Sequence, residues 1–129
     1  MRVNRNGDAE IHNLPGLKHQ TLAGKKDGLN QIEVWRQTIS AGSATPVHRH
    51  NCEEAIVIFS GNGVCRFKEK EVSFSADDTL LIPQNAVHQI INTGDKDLEI
   101  MATLAMAPVE VQTESGEAMN LPWDAKQDA

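Results

Sequence analysis

Glycine and proline punctuate this chain so densely that no long regular element fits between them. Pro15-Gly16, Gly24, Gly28, Gly42, Pro46, Gly61-Asn-Gly63, Pro83, Gly94, Pro108, Gly116 and Pro122 recur along its length. Between them lie short runs rich in β-branched and aromatic residues, at 32–39, 55–59, 64–67, 71–74, 79–82, 87–91 and 98–106. Short strands with turn signals at this spacing predict an all-β sandwich or barrel. No segment carries sustained 3.6-residue periodicity with caps, so helices are expected only as single turns. At 129 residues the chain has the length of one domain with one core. Residues 25–106 are expected to form the barrel, with an N-terminal extension at 1–24 and a C-terminal one at 107–129. Val109, Val111, Met119, Leu121 and Trp123 give that tail apolar side chains to pack on the barrel mouth or on a partner subunit. The charged finish is expected to fray.

Charge and composition remove several function classes. Twelve Lys and Arg against 18 Asp and Glu give a net charge of −6, which argues against nucleic-acid binding, since that rests on clustered cations meeting phosphates. No apolar run approaches a membrane span and the first residues lack the apolar stretch of a signal peptide, so the expectation is a cytoplasmic protein without membrane contact. Two cysteines, Cys52 and Cys65, make no disulfide framework and read as free thiols. The chain contains no tyrosine, so no phenol can act as acid, base or crosslink partner.

Chemistry concentrates in one constellation. His48 and His50 stand two apart on what reads as a strand, so their side chains share a face, and Glu54 follows at the start of the next run. His88 lies in a further strand-like run, five residues after Pro83. These imidazoles and the carboxylate, converging inside a barrel, would make a mixed nitrogen and oxygen site for a divalent first-row metal. His12 and His19 sit in the polar N-terminal stretch and are expected to be solvated.

The residues carrying this pattern resemble the two motifs of the cupin superfamily. Gly42-Ser-Ala-Thr-Pro-Val-His48-Arg-His50-Asn-Cys-Glu-Glu54-Ala-Ile-Val-Ile-Phe-Ser-Gly61 is similar to the first, G-x5-H-x-H-x3-E-x6-G, at every defined position. Pro83-Gln-Asn85-Ala-Val-His88-Gln-Ile-Ile-Asn92 resembles the second, G-x5-P-x-G-x2-H-x3-N, with Asp77 and Asn85 where glycines are usual. Asp and Asn tolerate left-handed backbone, so both turns are expected to survive. The resemblance implies a small single-domain cupin of the cupin-2 kind, a jelly-roll-like β-barrel with one divalent metal ion per chain. It implies His48, His50, Glu54 and His88 as the ligands. Fe(II) is the first choice for oxidative chemistry, with Mn, Ni or Zn suited to the same donors.

Other residues enter as candidates for the pocket. Arg36 and Arg66 lie within strand-like runs, where an arginine faces solvent by default or reaches inward to an anionic substrate. Trp35 and Gln37 have the opposite parity to Arg36, so only one of these sets faces inward. Asn92 is a candidate partner for the His88 imidazole, while Gln89 and Glu53 should point away from the metal. Cys52 reads as a small buried residue, with a redox-sensitive neighbour or soft ligand of the metal as the alternative. The first functional expectation is a metal-dependent dioxygenase acting on a small oxygen-chelating substrate. A non-redox lyase, isomerase or cyclase and a small-ligand-binding barrel without catalysis are the alternatives. A homodimer through sheet edges, terminal strands and the apolar tail is expected.

Overall fold

The computed structural model describes residues 1–124, and the final residues of the tail, 125–129, lie outside this description. Its strands are β1 (Ile11–Leu14), β2 (Leu17–Ala23), β3 (Glu33–Ile39), β4 (Glu54–Ser60), β5 (Asn62–Phe67), β6 (Lys70–Ser75), β7 (Thr79–Ile82), β8 (His88–Asn92) and β9 (Leu98–Leu104). A six-stranded sheet runs β1-β2-β3-β9-β4-β7 and faces a three-stranded sheet, β6-β5-β8. Every pairing between strands is antiparallel. Helical structure is slight, with two three-residue 3-10 turns at Asn6–Asp8 and Lys25–Asp27. This is the all-β cupin barrel, with every strand-like run of the sequence realised as a strand. Among the described residues no helix is long and apolar enough to cross a membrane.

Strict alternation builds the core. Along β3 the side chains of Glu33, Trp35, Gln37 and Ile39 are buried, while Arg36 between them is exposed. On β4 Ile56 and Ile58 face inward, and on β9 Leu98, Ile100, Ala102 and Leu104 do the same. Ile39, Ile58, Ile90, Leu98 and Leu104 are all but inaccessible, each contributing about 1.5–3 kcal/mol of burial. The period of two thus divides each strand into a core face and an outer face.

These contacts revise the reading of the N-terminal end and choose between the two placements expected for the tail. The stretch 1–24, read as an extension, supplies β1 and β2 to the large sheet, with β2 paired to β3 from Leu17↔Ile39 to Ala23↔Val34. The polar run Leu17-Lys-His-Gln hides its strand character because its buried histidine and glutamine, on opposite faces of the strand, find partners within the protein. The tail packs on its own barrel: Val109, Val111 and Trp123 are buried, and Gln112 bridges Arg49.

The motif turns explain their own residue types. Asp77 (φ 74°) and Asn85 (φ 64°) both adopt the left-handed backbone that a glycine would supply. The Asn85 amide then donates to the His50 carbonyl (2.8 Å), and Asp77 donates to Ile58 (2.9 Å), so both turns are pinned to the motif strands. Gly61 has φ 94°, and a Cβ there would lie 2.8 Å from the Asp97 carbonyl oxygen, which only glycine avoids. Asn92 is buried and its amide donates to the carbonyls of Ile39 and Lys96 (2.8 Å each), while Gly94 donates to its side-chain oxygen (2.9 Å). It therefore organises the β8–β9 turn instead of contacting His88.

Candidate metal centre

His48, His50 and His88 converge inside the barrel, with ring nitrogens all within 4.8 Å of one another. Each histidine is held by the same device. Nδ1 of His48 donates to the Pro46 carbonyl (2.7 Å), Nδ1 of His88 to Ala86 (2.8 Å), and Nδ1 of His50 to Glu110 (3.1 Å). A carbonyl only accepts, so the proton sits on Nδ1 and the Nε2 lone pair is left free. That is how proteins usually fix a metal-binding imidazole. His48 and His88 also bridge backbone to backbone, which locks the first motif onto β8.

Glu54 opens β4 and turns its carboxylate into the same space. Its Oε1 lies 3.4 Å from Nε2 of His88 and 3.7 Å from Nε2 of His50. Donor atoms bonded to one ion at about 2.1 Å stand about 3–3.5 Å apart at neighbouring positions, so this spacing suits a shared ion. His50 Nε2, His88 Nε2 and Glu54 Oε1 are buried and lack any hydrogen-bond partner. Leaving such groups unpaired costs about 1–3 kcal/mol each, so the folded chain sustains a penalty that a divalent cation would relieve. The donor set therefore fits a first-row ion.

Electrostatics agree with that fit. Burial, with His88 and His50 close by, pushes His48 down to about 3. Burial likewise holds His50 below the ordinary histidine range. Burial pushes the Glu54 carboxyl up, but the surrounding imidazoles, His88 first, outweigh it and keep the carboxyl below its usual range. Neutral imidazoles beside an ionised carboxylate are the protonation states a metal requires.

Above these donors lies a small cavity of about 40 Å³, walled by Trp35, Gln37, Thr45, Leu121 and Trp123 together with His48, Glu54 and His88. A much larger outer cleft of about 400 Å³, between the N-terminal segment and β2, includes His12, Thr21 and Trp123. Trp123 belongs to both walls. Its ring stacks on His19 at 3.7 Å and 7°. Trp35 meets His19, Trp123 and His50 edge-on.

The histidine expectations for the N-terminus are therefore overturned. His19 is inaccessible to solvent, between Gln37 Nε2 at 3.0 Å from its Nδ1 and the Thr21 hydroxyl at 2.8 Å from its Nε2. His12 is largely covered, with a side chain 11% exposed. The inward parity of β3 belongs to Trp35 and Gln37, so Arg36 points to solvent. Arg66 is also exposed and pairs with Glu71 at 2.7 Å. Neither arginine reaches the cavity. Cys52 is buried among core residues and outside the histidine cluster, and burial pushes its thiol up to about 11, so it stays protonated and unreactive. Sequence reasoning missed His19, and it placed Trp123 against the barrel mouth or a partner without foreseeing its stack on that histidine. The matched parity of Leu17 and His19 was the available signal for the first.

His19 gives the metal-free chain an acid-sensitive stability. Burial, with His12 adding to it, pushes its pKa from 6.5 down to about 3. Between those values the unfolded chain binds a proton that the folded chain does not. Stability attributable to this group is therefore complete above pH 6.5, falls on acidification, and stops falling near pH 3. The slope for one such group is about 1.4 kcal/mol per pH unit. Glu33, whose carboxyl is pushed up mainly by burial, has the opposite sign. Urea midpoints measured from pH 6 to pH 4 are expected to show a shallower acid slope in His19→Phe than in the parent. Equal slopes would remove His19 as the cause.

Comparison with known proteins follows the same lines. A protein of Rhodospirillum rubrum described as a cupin-2 domain superposes with a TM-score of 0.67 at 19% identity, covering 90% of this chain and 82% of that one. Auxin-binding protein 1 of Arabidopsis thaliana is 38% identical over 107 residues, 75% of this chain and 54% of that protein. This chain thus spans about half the length of that plant relative. An oxalate-binding protein of Thermotoga maritima is 33% identical over 102 residues, 74% of this chain and 84% of that protein. The family model described as auxin binding protein matches residues 7–126. The chain has the cupin fold and belongs to the auxin-binding protein family.

Proposed function

We propose that this chain captures a small organic acid on a divalent metal ion held by His48, His50, Glu54 and His88. The observation carrying this reading is the set of buried, unpartnered donor atoms, His50 Nε2, His88 Nε2 and Glu54 Oε1, next to the small cavity. A bound first-row ion, Fe(II) or alternatively Mn, Ni or Zn, supplies a Lewis acid that attracts carboxylate oxygen. Auxin and oxalate, named in the relatives, are both carboxylic acids. The cavity of about 40 Å³ holds about three waters, which suits an acid of oxalate's size. A bicyclic acid needs Trp123 to move. Purified without chelator or tag metal, the chain is expected to carry about one equivalent of first-row metal and to bind oxalate only when loaded. Less than about a tenth of an equivalent overturns the reading.

The dioxygenase reading is supported by a different observation. Among the described residues, the cavity wall carries no titratable side chain apart from His48, Glu54 and His88. A lyase or isomerase needs a positioned acid or base, whereas oxidation by O₂ at a metal does not draw one from the wall. Oxygen uptake by the Fe(II)-loaded chain across small 1,3-dicarbonyls and hydroxy acids tests it, and no uptake leaves a binding protein.

A homodimer is proposed through the outer face of the large sheet. Leu81 lies beside Ala55, Ala55 beside Thr103 and Thr103 beside Val34, with exposed Ile32 and Phe59 flanking this row. Leu81 is 79% exposed on edge strand β7. The buried tail residues Val109, Val111 and Trp123 are unavailable for this role. Sedimentation is expected to give a dimer for the parent and a monomer for Leu81→Glu, and a monomeric parent sinks the proposal.

A further inference from the structure

We propose that His19 is a positioning residue of the metal cavity, fixing Gln37 and Trp123 on its wall through a single buried ring. His19 is none of the four donors, yet every face of its imidazole is committed. Its Nδ1 meets the Gln37 amide nitrogen at 3.0 Å, its Nε2 meets the Thr21 hydroxyl at 2.8 Å, and its ring face covers Trp123 at 3.7 Å. Gln37 and Trp123 both wall the metal cavity, whereas Thr21 and Trp123 wall the outer cleft. One side chain therefore ties together the wall's glutamine amide and the partition between the two spaces.

The hydrogen-bond directions follow from the donors present. An amide nitrogen only donates, so Nδ1 of His19 accepts and its proton resides on Nε2, where the Thr21 oxygen takes it. This tautomer is opposite to that of His48, His50 and His88, whose protons lie on Nδ1. The Gln37 amide is thereby held with one N–H on His19, and its remaining N–H and carbonyl are presented in a fixed orientation. A wall that is ordered before a ligand arrives spends no affinity on ordering it afterwards. Without His19, Gln37 turns freely and Trp123 loses its stacking partner. The residue thus acts on ligand binding through Gln37 and Trp123, with no contact to the metal donors required.

This inference rests on the carboxylate-binding reading of the cavity, and its test separates the two. With Zn(II)-loaded protein and oxalate as probe, calorimetry on His19→Phe is expected to show oxalate binding weakened about tenfold, with Zn(II) affinity within about threefold of the parent. His19→Gln, which offers Gln37 an amide partner again, is expected to recover most of that loss. Unchanged oxalate affinity in His19→Phe, a parallel loss of both affinities, or no recovery in His19→Gln each overturns the positioning role. Nitrogen-15 spectra of the parent give a readout that needs no ligand: His19 is expected to be neutral with its proton on Nε2. If the parent binds no oxalate, the carboxylate reading fails, and the tautomer alone decides the positioning role. A proton on Nδ1 overturns it.

Discussion

Replacing His50 with alanine is expected to reduce metal affinity more than a hundredfold, beyond the 10–100-fold typical of losing an outer partner of a ligand. The imidazole is buried, its Nδ1 proton is committed to Glu110, and its Nε2 has no use in the protein other than as a donor. The same residue exerts the opposite effect on the metal-free chain. There the unpartnered Nε2 is a burden of about 1–3 kcal/mol, so its removal offsets much of the lost packing against Trp35. Loaded and metal-free parent are expected to differ by about 4 kcal/mol at a thousandfold excess of free metal over Kd, and at the same metal concentration His50→Ala is expected to cut that gap to about 1.4 kcal/mol or less. Competition against a chromophoric chelator gives the affinity, and paired urea melts give the gap. A variant that retains parental metal affinity removes His50 from the ligand set.

Trp123→Ala is expected to cost about 2–3 kcal/mol and to change which acids enter. Truncating a buried tryptophan ordinarily costs about 3–5 kcal/mol. Here Trp123 Nε1 is itself buried without a partner, and relief of that penalty, about 1–3 kcal/mol, returns part of the loss. Trp123→Phe keeps a ring on His19 while removing the orphan N–H, so it is expected to be about as stable as the parent. The alanine variant also joins the cavity of about 40 Å³ to the cleft of about 400 Å³. Binding is then expected to shift from oxalate toward bulky aromatic acids such as 1-naphthaleneacetate, measured by calorimetry on Zn(II)-loaded protein. A variant with unaltered stability and unaltered preference would show that Trp123 neither packs nor partitions.

How far the sequence foretells this arrangement depends on which signal each element carries. Strands β3 to β9 are legible because their apolar residues alternate between turn residues. The unusual Asp77 and Asn85 keep the left-handed turns expected of them. Strand β2 escapes notice because its buried positions, on both faces, include His19 and Gln20, whose polarity reads as surface until their partners, Thr21 and Gln37 for the histidine and backbone carbonyls of Asn6 and Ala9 for the glutamine, are known. The convergence of His48, His50, Glu54 and His88 is legible because spacing and chemistry are both local to two short motifs. Arg36 against Trp35 and Gln37 is different. Parity says that they oppose each other, and only the pairing of β3 with β9 decides which set meets the core. Trp123 lies far along the chain from everything it touches, and no local pattern predicts such a contact.

The carbonyl that orients His50 belongs to Glu110, in the segment that follows the last strand. Docking of that segment and capture of an ion at Nε2 therefore act on the same imidazole, one on each nitrogen. By reciprocity each must strengthen the other to an equal degree. Amide exchange along 107–121 should slow when the site fills, and a cut that frees this strap should raise the metal's dissociation constant by the same factor. Occupancy of the barrel's interior is thus readable at its outer wrapping.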